Sequence, residues 1–197
     1  MSNHTKQTIA ALSLATAVVA LRLLPIYGSE KLTLALANLA PLVGLALCGG
    51  MLLPRKMAAA VIFGAFLISD VALNRHYGKP LLNGASLILL ATFAAIFFGG
   101  WLMRRRPSLG NALLGTLGGV VLFYLVTNTA AFFSLSGYSK TFAGWAQALT
   151  IGTPGWTPTW VFGLRGLASN LVFAFAFYLA IRPAPAPARA LAHVAAA

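Results

Sequence analysis

Six apolar runs, separated by short polar or turn-forming breaks, dominate the chain: Ile9–Leu24, Leu32–Leu53, Met57–Leu73, Leu81–Met103, Leu109–Phe133 and Trp160–Ile181. A helix needs about 20 mostly apolar residues to cross the ~30 Å hydrocarbon core of a bilayer, and these runs have that length. In hydrocarbon every backbone polar group must be satisfied within a helix or a closed barrel. Barrel strands are short and alternate in polarity, whereas Leu81–Met103 is continuous, so the runs predict helices. The breaks carry residues that stop helices: Pro25 and Gly28, then Pro54-Arg55-Lys56, then Arg75-His76-Tyr77-Gly78-Lys79-Pro80, then the arginine triplet 104–106 with Pro107. The pattern predicts an all-α fold, a polytopic bundle of six transmembrane helices in a single domain over residues 1–182. An Ala/Pro-rich cytoplasmic tail over 183–197 follows. The first run has only Lys6 ahead of it and no small-residue cleavage site after it, so it reads as a retained span rather than a signal peptide.

Composition removes the other classes. Of 197 residues, 59% are hydrophobic and 8% charged, which excludes an ordinary water-soluble domain. The net charge of +12 arises because only Glu30 and Asp70 oppose fourteen Lys and Arg. These cations sit at span ends, so topology and anionic lipid headgroups account for them, and no nucleic-acid partner is expected. With the N-terminus inside, the cytoplasmic side carries Lys6, Arg55, Lys56, Arg104, Arg105, Arg106, Arg182 and Arg189. The opposite side carries Arg22, Lys31, Arg75, Lys79, Lys140 and Arg165. The densest cluster therefore falls inside, which predicts an N-in/C-in bundle.

The segment from Ser134 to Thr159 is the longest that does not read as a span. Its middle, Phe142–Ile151, predicts a short helix at the outer interface. Tyr138, Trp145, Trp156 and Trp160 make it either an aromatic anchor at headgroup level or a lid over an outward-facing cavity.

Polar side chains gather in the outer half of the bundle: Asn38, Asp70, Asn74, Asn83, Thr127, Asn128, Arg165 and Asn170. Such groups are costly in hydrocarbon and face protein or a water-filled space. Together they predict an outward-open polar pocket, and the alternative is that they bond one another to hold helices together. Asp70 is the one carboxylate within a span, and a salt bridge to Arg165 or Arg22 is expected for it. Cys48 is the lone cysteine, which excludes an internal disulfide and a multi-cysteine zinc site. A buried cysteine is usually a small hydrophobe, and a soft metal ligand is the other reading. His76 falls in a loop, and His4 and His193 in the tails. Gly115 with Gly119, and Ala11 with Ala15, are small-xxx-small pairs that suit internal packing or docking of a partner's helix. No catalytic constellation and no phosphate-binding loop stands in the chain, so a non-enzyme is expected. Energy from ATP would have to come from another polypeptide.

The segments NLAPLVGLALCGG (38–50), FLISD (66–70) and LVTNTAAF (125–132) carry a family resemblance. They are similar to a bacterial family of small polytopic transport proteins of unknown function, which in turn resembles the substrate-binding S components of energy-coupling-factor vitamin transporters. Pro41, Gly49-Gly50, Asp70 and Thr127-Asn128 match the pattern, whereas Cys48 stands where an aromatic residue is expected. The resemblance implies a multi-pass protein of the bacterial inner membrane with six helices and both termini inside. It implies a vitamin-like solute bound from outside, with cobalamin among the candidates. A separate ATPase and coupling module would dock at Ala11 and Ala15. The rival expectation is an accessory subunit of a larger membrane complex.

Overall fold

The computed structural model describes residues 3–28 and 39–182. Asn38 and the tail 183–197 lie outside the described residues. Seven helices make up the described chain: α1 (Asn3–Tyr27), α2 (Leu42–Leu52), α3 (Arg55–His76), α4 (Gly84–Met103), α5 (Leu109–Ser134), α6 (Phe142–Leu149) and α7 (Thr159–Ile181). Local chemistry sets the boundaries. Asn83, Ser108 and Thr141 cap α4, α5 and α6, each accepting a hydrogen bond from the backbone N–H three residues on, at 3.0, 3.1 and 3.2 Å. Pro41, Pro54 and Pro158 stand immediately before α2, α3 and α7, where the fixed ring ends the preceding segment.

Five of these helices, α1, α3, α4, α5 and α7, are long and apolar enough to cross a membrane. Their outward faces expose Leu12, Ile68, Phe98, Leu114 and Val172, as lipid-facing surfaces do. The fold is that of a polytopic helical membrane protein. Of the expected second span, residues 32–38 lie outside the described residues. Of the run Leu32–Leu53, the described part is helical only over Leu42–Leu52, 11 residues or about 16 Å, half the hydrocarbon thickness. Its helix begins after Pro41, which has no N–H to donate. Every residue from Leu42 to Met51 is buried, so α2 shows no face to lipid. It is the axis of the bundle rather than one of its staves.

Helices α1, α3, α4, α5 and α7 all pack on α2, with α4 making the most extensive contact. In lipid there is little hydrophobic drive between helices, and close backbone approach has to supply the attraction. The α2–α4 crossing achieves it with glycine on both sides. A Cβ at Gly50 would sit 2.4 Å from the Phe97 carbonyl oxygen, and one at Gly100 would sit 2.1 Å from that of Leu47. Gly115 and Gly119 of α5 meet Leu47 and Val43 of α2, so this pair serves internal packing. The Gln7 side chain donates to the Ile181 carbonyl at 3.1 Å, which sets the start of α1 and the end of α7 at one end of the bundle. Arg55, Lys56 and the arginine triplet mark the same end, called here the basic end.

The α2–α4 contact yields a matched pair of expectations. Gly100→Ala should destabilise the protein by about 1–3 kcal/mol, the usual cost of overpacking a tight core. Gly99→Ala, where nothing lies within 4 Å of the added carbon, should be neutral. Thermal denaturation in detergent reads both, and equal melting temperatures for the two variants would refute the crossing.

Candidate functional site

Beyond Pro41, among the described residues, a cavity of about 480 Å³ opens at the start of α2. Its floor is the start of α2, with Ala40, Leu42 and Val43. One wall is a single face of α7: Thr159, Phe162, Gly163, Gly166 and Asn170, at spacings of three and four. That face runs for about 16 Å along the helix. The adjoining wall is one face of α5, Val120, Phe123, Tyr124, Thr127 and Asn128. Leu21, Arg22 and Pro25 from α1, Leu73 from α3, and Leu89 and Phe93 from α4 close the rest. The lining is largely apolar and aromatic, with a few polar groups set into it.

The polar groups of the wall are mostly bonded to their own helices. Thr127 donates to the Phe123 carbonyl at 2.7 Å, and the Asn128 amide to that of Tyr124 at 2.8 Å. Asn170 does two things. Its amide donates to the Gly166 carbonyl at 2.7 Å, and its oxygen accepts from the Gly44 N–H at 2.8 Å. It thereby satisfies one of the orphan donors at the α2 N-terminus, a task that water would perform elsewhere.

Beside the cavity lies a second polar assembly. The Arg22 guanidinium donates to Asp70 Oδ1 and to Ser69 Oγ, each at 3.0 Å, and stacks over the Phe66 ring at 5.2 Å. Asp70 Oδ2 accepts from Ser86 Oγ at 2.6 Å and from the Asn74 amide at 3.0 Å. This network ties α1, α3 and α4 together, and the carboxylate has a donor on each oxygen. Asp70 and Asn74 are not on the cavity wall; Arg22 belongs to both.

The expected polar site therefore divides. Thr127, Asn128 and Asn170 line the cavity. Asp70 and Asn74 hold helices together, as the alternative reading had it, and Asn83 is the cap of α4. Arg165 is half-buried on α7 and is not part of the lining. Trp145 donates to Thr129 Oγ1 at 3.0 Å and packs on Phe132, Tyr138 and Ala148, away from the cavity. Trp156 is 69% exposed and does not reach the cavity either. Ala11 and Ala15 are buried in the core, so the pair joins α1 to its own bundle and offers no surface to a partner's helix. Cys48 is enclosed in the middle of α2, its Sγ 4.0 Å from the Ala174 carbonyl oxygen, and it is not on the cavity wall. It packs as a small hydrophobe, and among the described residues no group of three potential ligands gathers around a metal position.

The aromatic wall, Phe93, Phe123, Tyr124 and Phe162, was not among the expected site residues. For Phe123 and Tyr124 the signal in the sequence is the three-and-four spacing with Thr127-Asn128, and for Phe162 that with Gly166 and Asn170; Phe93, on α4, carries no such signal. Tyr124 also links the wall to the loop, since its hydroxyl donates to the Leu149 carbonyl at the end of α6 at 2.5 Å.

Among known protein families, residues 2–190 match DUF6580, a family of unknown function, and the chain belongs to that family. No curated protein and no solved structure matches it.

The division between network and wall is testable by stability alone. Arg22→Ala leaves Asp70 buried without its charge partner and should cost about 3–5 kcal/mol. The double variant Arg22→Met/Asp70→Leu removes both charges and should recover part of that loss. Asn128→Ala, which removes only a bond within its own helix, should change the melting temperature little. If Arg22→Ala proves as benign as Asn128→Ala, the network does not hold the helices.

Proposed function

We propose that this protein binds one small, largely apolar solute with a polar end, and that it serves as a transport subunit resembling the S components of vitamin transporters. The observation that carries the reading is the cavity over the truncated central helix. At about 480 Å³ it falls within the roughly 300–1,000 Å³ typical of small-molecule sites. Its mixture of aromatic walls with Arg22, Thr127, Asn128 and Asn170 is the usual composition of such sites. The size suits a one- or two-ring vitamin-like compound better than a corrinoid, so cobalamin ranks low. The common location of both helix ends, at Gln7 and Ile181, agrees with an even number of crossings. The basic end belongs in the cytoplasm by the positive-inside bias, which turns the cavity outward from a bacterial inner membrane. Any ATP-driven step would be supplied by a separate module, docking elsewhere than at Ala11 and Ala15. A second reading is an accessory subunit of a membrane complex, and the Asp70 network favours it, because those polar groups are used for packing.

Two measurements test the proposal. Melting curves of the purified protein with a panel of vitamins and their precursors should show stabilisation by at least one compound. Thr127→Phe, which fills the cavity, should abolish that stabilisation while the ligand-free protein melts near wild type. A panel without effect, together with protein subunits that copurify in fixed ratio, would favour the accessory role. For orientation, a reporter fused after Arg106 should be active only as a cytoplasmic enzyme, and periplasmic activity there would turn the cavity to the other side.

A further inference from the structure

We propose that the basic end of the bundle holds a binding site for an anionic phospholipid, seated in the groove between the first turns of α3 and the last turns of α4. The groove has a volume of about 420 Å³ and is lined by Arg55, Lys56 and Ala59 from α3 and Phe97, Phe98 and Trp101 from α4. Each helix contributes residues at i, i+1 and i+4, so an aromatic stripe on α4 faces a stripe on α3 that is headed by two cations. The Arg55 guanidinium lies over the Trp101 ring at 5.0 Å, which marks the level at which charge gives way to apolar surface. Helices α3 and α4 touch each other little, because α2 packs against both. Their polar tie, Ser86 to Asp70, is at the far end. They are thus left apart here, and Phe98 stays 53% exposed.

Charge points to the occupant. Arg104 follows α4 directly, and partial burial together with the nearby Arg55 charge pushes its guanidinium below the ordinary pKa. Arg105 and Arg106 come next in sequence. Of the two acids in the chain, Asp70 is bonded to Arg22, and Glu30 comes just after α1 in sequence. Arg55 and Lys56 head the groove with Arg104 close to Arg55, and Arg105 and Arg106 follow in sequence, so a phosphodiester from outside the chain is the matching counter-charge. A soluble anion would meet the charge and leave the aromatic stripe bare. A phospholipid fills both, with its headgroup among the cations and an acyl chain along Phe97, Phe98 and Ala59. Topology alone would ask for the cations, not for the groove beneath them. This inference stands apart from the solute cavity and does not depend on it.

Native mass spectrometry of the full-length protein, given equal phosphatidylglycerol and phosphatidylcholine, reads the site. Phosphatidylglycerol adducts should predominate. Arg55→Gln and Arg104→Gln should each reduce the preference by about fivefold, as expected when one basic residue near a headgroup is lost. Ala59→Phe, which obstructs the groove and keeps every charge, should remove the preference as well. Glycerol phosphate in excess should not displace the lipid, because it lacks the chains. Melting curves establish that each variant is folded. Equal retention of the two lipids by the wild type would overturn the proposal. So would a preference that survives Ala59→Phe, which indicates diffuse attraction to the basic surface, or displacement by glycerol phosphate, which indicates a site for a free phosphate.

Discussion

A fully enclosed helix of half membrane length is the constraint on which the rest of this bundle depends. Helix α2 can be surrounded only if its neighbours approach its backbone, and that is why glycines stand at Gly50, Gly100, Gly115 and Gly119. The same enclosure removes water from its first turn, so its donors need protein partners. Leu45 N–H reaches the Pro41 carbonyl at 3.0 Å, and Gly44 N–H finds Asn170. Leu42 N–H turns back to Ala40 at 2.9 Å. Among the described residues, the five long helices and the start of α2 together line the cavity beyond Pro41.

Electrostatics follow from the same arrangement. With two acids in the whole chain, one carboxylate can be spent on holding the helices, and Asp70 is spent that way. A buried ion pair is weak as a net source of stability, because desolvation offsets most of the attraction. Its value lies in geometry: five donor–acceptor bonds within a small volume fix the relative depth of α1, α3 and α4. One side of the cavity is braced by that network. The other side, α5 and α7, is braced by packing and by the Tyr124 bond to the end of α6.

The five crossing helices were legible because hydropathy reports length, and length is what a bilayer demands. Helix α2 was not legible, because hydropathy cannot tell a lipid-facing residue from one enclosed by protein. The run Leu32–Leu53 is apolar apart from Thr33 and Asn38, and Pro41 is its one helix-breaking proline. For the polar residues, depth was readable and direction was not. Asp70 and Asn128 come from similar depths, yet one faces neighbouring helices and the other faces the cavity. Arg22 was read correctly as one of two partners for Asp70, since opposite charges in hydrocarbon must meet. The sequence puts Trp145 in a short helix and leaves open an interfacial anchor or a lid. Its indole N–H instead bonds Thr129, a choice that depends on how the loop folds back on α5.

The bonds within helices explain how an unfilled space can persist at membrane depth. Thr127, Asn128 and Asn170 each donate a hydrogen bond to a carbonyl four residues back. One donor of each is thus satisfied without a guest. The Asn128 amide keeps a side-chain oxygen and a second N–H, in a setting of Phe93, Phe123 and Phe162. A solute of the kind proposed would bring one polar group on an otherwise apolar ring to that wall. Arg22 and Asn170 do both kinds of work, tying helices together while standing in the cavity wall, and Thr127 and Asn128 bond only their own helix.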